Sequence, residues 1–130
     1  MCVNITLILA KNDVVTMSLF DKDLALEQAG GSSELAKELF EMLIKDLPSS
    51  LNIIQQAHAN LDKEAVWDAV HKIHGGTAYC GVPELKLACK EMEDEIKISY
   101  PSTKIDSLLN KLEVAINILL TESESLIETL

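Results

Sequence analysis

The chain has 130 residues, 48% of them hydrophobic and 25% charged, with a formal net charge of −10. That length suits one domain around a single core, and the apolar content excludes a disordered tail. Twenty-one acidic against eleven basic side chains leave no footprint for nucleic acid, which needs a basic surface to displace phosphate counterions, and they are repelled by anionic membranes. No nucleic-acid partner and no direct membrane contact are expected.

Residues 1–19 are set apart. Val3, Ile5, Leu7 and Leu9 alternate like a strand, but no second strand-like segment offers itself as a partner. The stretch is taken as a linker or an extra segment packed on the domain, which spans residues 20–130. Asp21 then caps a short helix to Ala29 that Gly30-Gly31 stop. Ser32 caps the next, with Ala36, Leu39, Phe40, Leu43, Leu47, Leu51, Ile54, Ala57 and Leu61 at helical spacing. Pro48 lies inside this stripe and is expected to bend the helix or remove one hydrogen bond.

A third helix is predicted from about Asp62 to Cys80, burying Val66, Ala69, Val70, Ile73, Thr77 and Cys80. Gly81 is its left-handed stop, and Pro83 suits the first turn of the fourth helix, which aligns Leu85, Cys89, Met92 and Ile96. The acidic run Glu91 to Glu95 on that helix reads as a solvated face. Ser102 caps a last helix of roughly 40 Å, with Ile105, Leu108, Leu109, Leu112, Ala115, Ile116, Leu119 and Leu126 inward. The expected fold is all-α: an up-and-down four-helix bundle with an additional short N-terminal helix. There is no internal repeat.

Cys2, Cys80 and Cys89 are an odd set without a CxxC spacing, which favours a reducing, cytoplasmic setting. The sequon Asn4-Ile5-Thr6 is incidental there. Residues 69–85, AVHKIHGGTAYCGVPEL, carry the chemistry. With Val70 and Ile73 inward, His71 faces out on a stripe with Asp68, Gly75 and Ala78. Gly75 and Gly76 each cost a helix about 1 kcal/mol relative to Ala, and beside an exposed histidine they let another protein's backbone approach. A neutral imidazole attacks phosphorus without first losing a proton. Lys72, and His74 when protonated, bring positive charge. His71 and His74 at a spacing of three can share a metal, but no further ligands stand near, so no metal site is expected.

The pattern His-x-Ile-x-Gly from His71 to Gly75, followed by small residues and Gly81, resembles the signature of histidine phosphotransfer (HPt) domains. The runs LALEQAGGSSELAKELFEMLIKDLP, HKIHGGTAYCGVPELKLAC and EMEDEI are similar to the C-terminal modules of BarA/GacS-type hybrid sensor kinases, over roughly residues 20–120. The resemblance implies that His71 is the phosphoacceptor and that Asp68, Lys72, His74, Gly75, Gly76 and Ala78 meet the partner. His74 departs from the Lys common at that position. The implied partners are the receiver domain of a hybrid sensor kinase and a response regulator, which bring the Mg²⁺. The chain itself is then a carrier with no intrinsic cofactor and no ATP-dependent kinase activity, whether free or the cytoplasmic end of a membrane-anchored sensor. The alternative is a non-catalytic helical interaction module, indifferent to loss of His71.

Overall fold

Four of the five helices among the described residues begin at a side-chain oxygen that takes up an otherwise unpaired backbone donor. Asp21 accepts from Leu24 N–H at 3.0 Å, Ser32 from Leu35 at 3.1 Å, Asp62 from Ala65 at 3.2 Å and Ser102 from Ile105 at 3.2 Å. Each such cap contributes about 1 kcal/mol. They open α1 (Lys22–Gln28), α2 (Ser33–Ala59), α3 (Lys63–Gly76) and α5 (Thr103–Thr129). The fifth, α4 (Pro83–Ile98), starts on proline, whose missing N–H is no loss in a first turn. The computed structural model describes residues 4–10 and 13–130, with side-chain surroundings from Leu19 onward.

Helices α2 to α5 pack in chain order, and α5 returns to α2, closing the four-helix bundle; α1 lies on α2 at one end. The core follows the predicted stripes: Phe40, Leu47 and Ile54 from α2, Val66 and Val70 from α3, Leu85, Met92 and Ile96 from α4, and Leu112, Ile116 and Leu119 from α5 are buried. Leu19 and Phe20 are fully buried as well, and the Phe20 ring meets Phe40 edge-on at 5.0 Å. Leu19, assigned by sequence to the leading segment, thus belongs to the bundle. Helix α2 runs on through Pro48, which has no N–H to give the Ile44 carbonyl. Cys80 and Cys89 are free and buried; burial pushes their thiols up to about 11 and about 12, so both serve as small hydrophobes. Cys2 and Val3 lie outside the described residues.

Three further sequence expectations of the fold change. First, the leading segment does find a partner strand. Strand β1 (Asn4–Ala10) pairs antiparallel with β2 (Asp13–Ser18), Asn4 opposite Ser18 and Ile8 opposite Val14, and β2 touches α4. The run Val14-Val15-Thr16 has the β-branched character a strand favours. Second, α3 ends at Gly76, and Thr77–Tyr79 tighten into a 3₁₀ turn. Gly75 and Gly76 therefore sit in the last turn of the helix, where they weaken it less than in its middle. Third, Leu61 leaves the α2 stripe and is 59% exposed.

Leu61 has a reason to turn outward. Asp62 N–H donates to the Ala57 carbonyl at 2.8 Å and Leu61 N–H to that of His58 at 3.0 Å. This Schellman closure puts Leu61 at φ +54, the left-handed position where glycine is favoured. Leu61→Gly is expected to stabilise the protein by about 1 kcal/mol; a thermal melt that moves down or stays put would contradict the strain. At the same end, His58 meets the Tyr100 hydroxyl through Nδ1 and Asp106 through Nε2, both at 2.7 Å. That clamp joins α2 to the α4–α5 connection. Among the described residues, no helix is long and apolar enough to cross a membrane.

Candidate functional site

The helical period of α3 turns Val66, Val70 and Ile73 into the core and leaves one side of the helix to solvent. His71 lies on that side, with 59% of its side chain exposed. Asp68, Lys72, Gly75 and Ala78 are exposed around it. A Cβ built on Gly75 would meet nothing within 4 Å, whereas one on Gly76 would meet Leu43 of α2 at 3.4 Å. Gly75 thus leaves open space beside the histidine. Gly76 serves mainly the approach of α2 and α3. On that side an apolar groove of about 200 Å³ runs past Lys72, lined by Met42, Leu43, Ile73, Gly76 and Tyr79. Met42 and Tyr79 are 62% and 55% exposed, an apolar margin to that groove.

Two side chains hold the His71 ring. Trp67, one turn earlier, stacks on it with centroids 4.5 Å apart and planes 12° from parallel. Glu93 of α4 reaches its edge, Oε1 lying 3.1 Å from Nδ1. A carboxylate can only accept, so in the neutral ring Nδ1 carries the proton and Nε2 keeps its lone pair. No protein group engages Nε2 among the described residues. The result is an exposed imidazole with a fixed plane, a chosen tautomer and a bare nucleophilic nitrogen. Among the described residues, no cluster of three or more His, Cys, Asp or Glu is placed to hold a metal ion.

His74 is placed differently from the rest of the predicted surface. Its side chain is 23% exposed and turned toward α4, where Nδ1 meets the same Glu93 oxygen at 2.9 Å. The acidic run on α4 is also not uniformly solvated, as sequence suggested. Glu93 and Glu95 are each 8% exposed. Glu93 is one turn on from Cys89 and next to Met92, so it borders the apolar stripe, and α3 covers it. Glu95 faces Ser102 and Lys104 at the start of α5. Asp94 stays exposed and pairs with Lys90 at 2.8 Å. Glu93 and Trp67 are thus the two members of the site that sequence did not single out.

The family model of the Hpt domain matches residues 38–116. The chain is 37% identical over 98 residues, 75% of its length, to the sensor protein GacS of Pseudomonas syringae pv. syringae. It is 35% identical over 77 residues, 59% of its length, to the signal transduction histidine-protein kinase BarA of Escherichia coli K12. These stretches span only 11% and 8% of those relatives. Among solved structures, the HPT domain of a sensor hybrid histidine kinase from Shewanella superposes with a TM-score of 0.79 at 29% identity, covering 86% of this chain and 96% of that one. The histidine-containing phosphotransfer protein B of Pseudomonas aeruginosa shares the fold, with a TM-score of 0.73 at 17% identity over the same shares of the two chains.

Proposed function

We propose, given that the chain belongs to the Hpt domain family, that it is a phosphoryl carrier in a two-component phosphorelay, with His71 as the acceptor. The observation that carries this proposal is the bare Nε2 of His71, exposed beside Gly75 while Nδ1–H is held by Glu93. In the forward step Nε2 attacks the phosphorus of an aspartyl phosphate on a receiver domain. The N–P bond forms, the aspartate O–P bond breaks, and the carboxylate leaves with the electron pair. The ring then carries both the phosphoryl group and its Nδ1 proton, so positive charge spreads over it. The Glu93 carboxylate, 3.1 Å away, stabilises that charge as it develops. A response-regulator receiver takes the group in the reverse sense.

Positioning and charge neutralisation dominate phosphoryl transfer, and the division of labour follows. The carrier supplies an oriented nucleophile. The receiver supplies the acidic pocket and the Mg²⁺, so no intrinsic cofactor or ATP site is assigned to this chain. Asp68, Lys72, Gly75 and Ala78 form the contact face, and Met42 and Tyr79 extend it across the groove. The cytoplasm, where receiver domains and nucleotide pools meet, is the proposed setting.

The test is to mix the chain with a receiver domain charged on its aspartate by acetyl phosphate. Acid-labile, base-stable label is expected on the chain, mapping to His71; label on another residue overturns the assignment. Gly75→Leu tests the face. Leucine favours helix over glycine by up to about 1 kcal/mol and has open space, so the melting temperature should hold or rise. Transfer should nevertheless fall about a hundredfold, since misplacing the partner by a side chain spoils the attack geometry. Unchanged transfer would contradict the close approach.

A further inference from the structure

The two imidazoles of α3 share one atom. His71 Nδ1 lies 3.1 Å and His74 Nδ1 2.9 Å from the same Glu93 oxygen, Oε1. A carboxylate oxygen has two lone pairs and can accept from both N–H groups at once. The three side chains differ in how firmly they are held. Those of Glu93 and His74 are 10% and 23% exposed, while that of His71 is 59% exposed. The pair inside is therefore the fixed part of the arrangement, and His71 is the part fixed by it.

We infer that His74 is a positioning residue for the transfer: it pins the Glu93 carboxylate and thereby sets the tautomer and flip of His71. This rests on the proposal that His71 is the acceptor. The stacked Trp67 fixes the plane of the His71 ring but is indifferent to a half-turn of that ring about its bond to Cβ. Among the described residues, only Glu93 distinguishes the two ring nitrogens. In free neutral histidine the proton prefers Nε2, the nitrogen that has to be bare for attack, so the hydrogen bond to Glu93 has to overcome an intrinsic bias. A buried carboxylate left with a single partner on an exposed ring would be under-satisfied, which costs free energy and favours its freedom to turn toward solvent. His74 removes that freedom from the inner side. Among the described residues, Glu93 is the one hydrogen-bond partner of the His74 ring; the neighbouring Asp94 pairs with Lys90 at 2.8 Å, and the His74 carbonyl accepts from the Thr77 hydroxyl at 2.6 Å. His74 thus supports the acceptor from beneath, with its donor turned to α4.

The experiment is ¹⁵N spectroscopy of the histidine rings in the full chain, with transfer from the acetyl-phosphate-charged receiver measured in parallel. In the unaltered protein, neutral His71 should show the Nδ1–H pattern. In His74→Ala it should move toward Nε2–H, and transfer should slow roughly tenfold, the scale of losing an outer hydrogen-bond partner. His74→Asn places an amide donor where Nδ1 stood and should restore both readouts, which a merely structural role would not predict. An Nδ1–H pattern and transfer rate unchanged in His74→Ala would overturn the inference. That failure is separable from failure of the acceptor assignment, because the tautomer is read without any phosphoryl donor.

Discussion

His71→Gln is expected to fold normally and to accept no phosphoryl group above the level of a control lacking the chain. The loss should be complete because the glutamine amide nitrogen has its lone pair delocalised into the carbonyl and cannot attack phosphorus as imidazole does. The cost to stability should stay within about 1 kcal/mol, since the ring is mostly exposed and Glu93 keeps His74 as a donor. The measurement is retained label after mixing with the charged receiver, beside a thermal melt. Label persisting in the variant would remove His71 from the reaction. Binding of the receiver without any label, even on the unaltered chain, would return the protein to the class of interaction modules.

The second large effect is on stability. Gly81→Ala should destabilise the protein by roughly 3 kcal/mol, or about 10 °C in melting temperature. Gly81 has φ +62, a conformation in which any L side chain is strained. A Cβ there would stand 2.5 Å from the Asp21 carbonyl oxygen, 2.7 Å from Ala25 Cβ and 2.8 Å from the Ala25 nitrogen. Two of those atoms are backbone and cannot step aside. The same glycine ties α1 down: Asp21 N–H donates to its carbonyl, and its own N–H donates to Gln28 Oε1, each at 2.8 Å. Loss of the amide protection of α1 in hydrogen exchange should accompany the lower melt. A variant as stable as the parent would show that the turn can relax.

Both predictions concern residues that the sequence exposes, for a shared reason. Gly81 follows a helical stripe at the point where it ends, and His71 sits opposite Val70 and Ile73 on the helical wheel, so local periodicity is enough to place each. Glu93 is harder. In sequence it is one acid among four between Glu91 and Glu95, and only the packing of α4 on α3 separates it from its solvated neighbours. Trp67 could have been found by spacing alone, since an aromatic four residues before a histidine lies over it on a helix. The pairing of β1 with β2 is less legible: β1 shows alternation, whereas β2 is marked by β-branched residues and becomes a strand only through its partner.

The stacking of Trp67 on His71 also gives the molecule an optical readout. It is the one tryptophan in the chain, so its emission comes from a single indole lying against the ring proposed as the acceptor. Adding a phosphoryl group and positive charge to that ring changes the quenching of the indole. Transfer should therefore be visible as a change in intrinsic fluorescence on mixing with a charged receiver, with no radioactive phosphate and no attached dye. The signal should vanish in His71→Gln, and its time course should match the appearance of phosphohistidine; a signal that survives in the variant would be reporting docking alone.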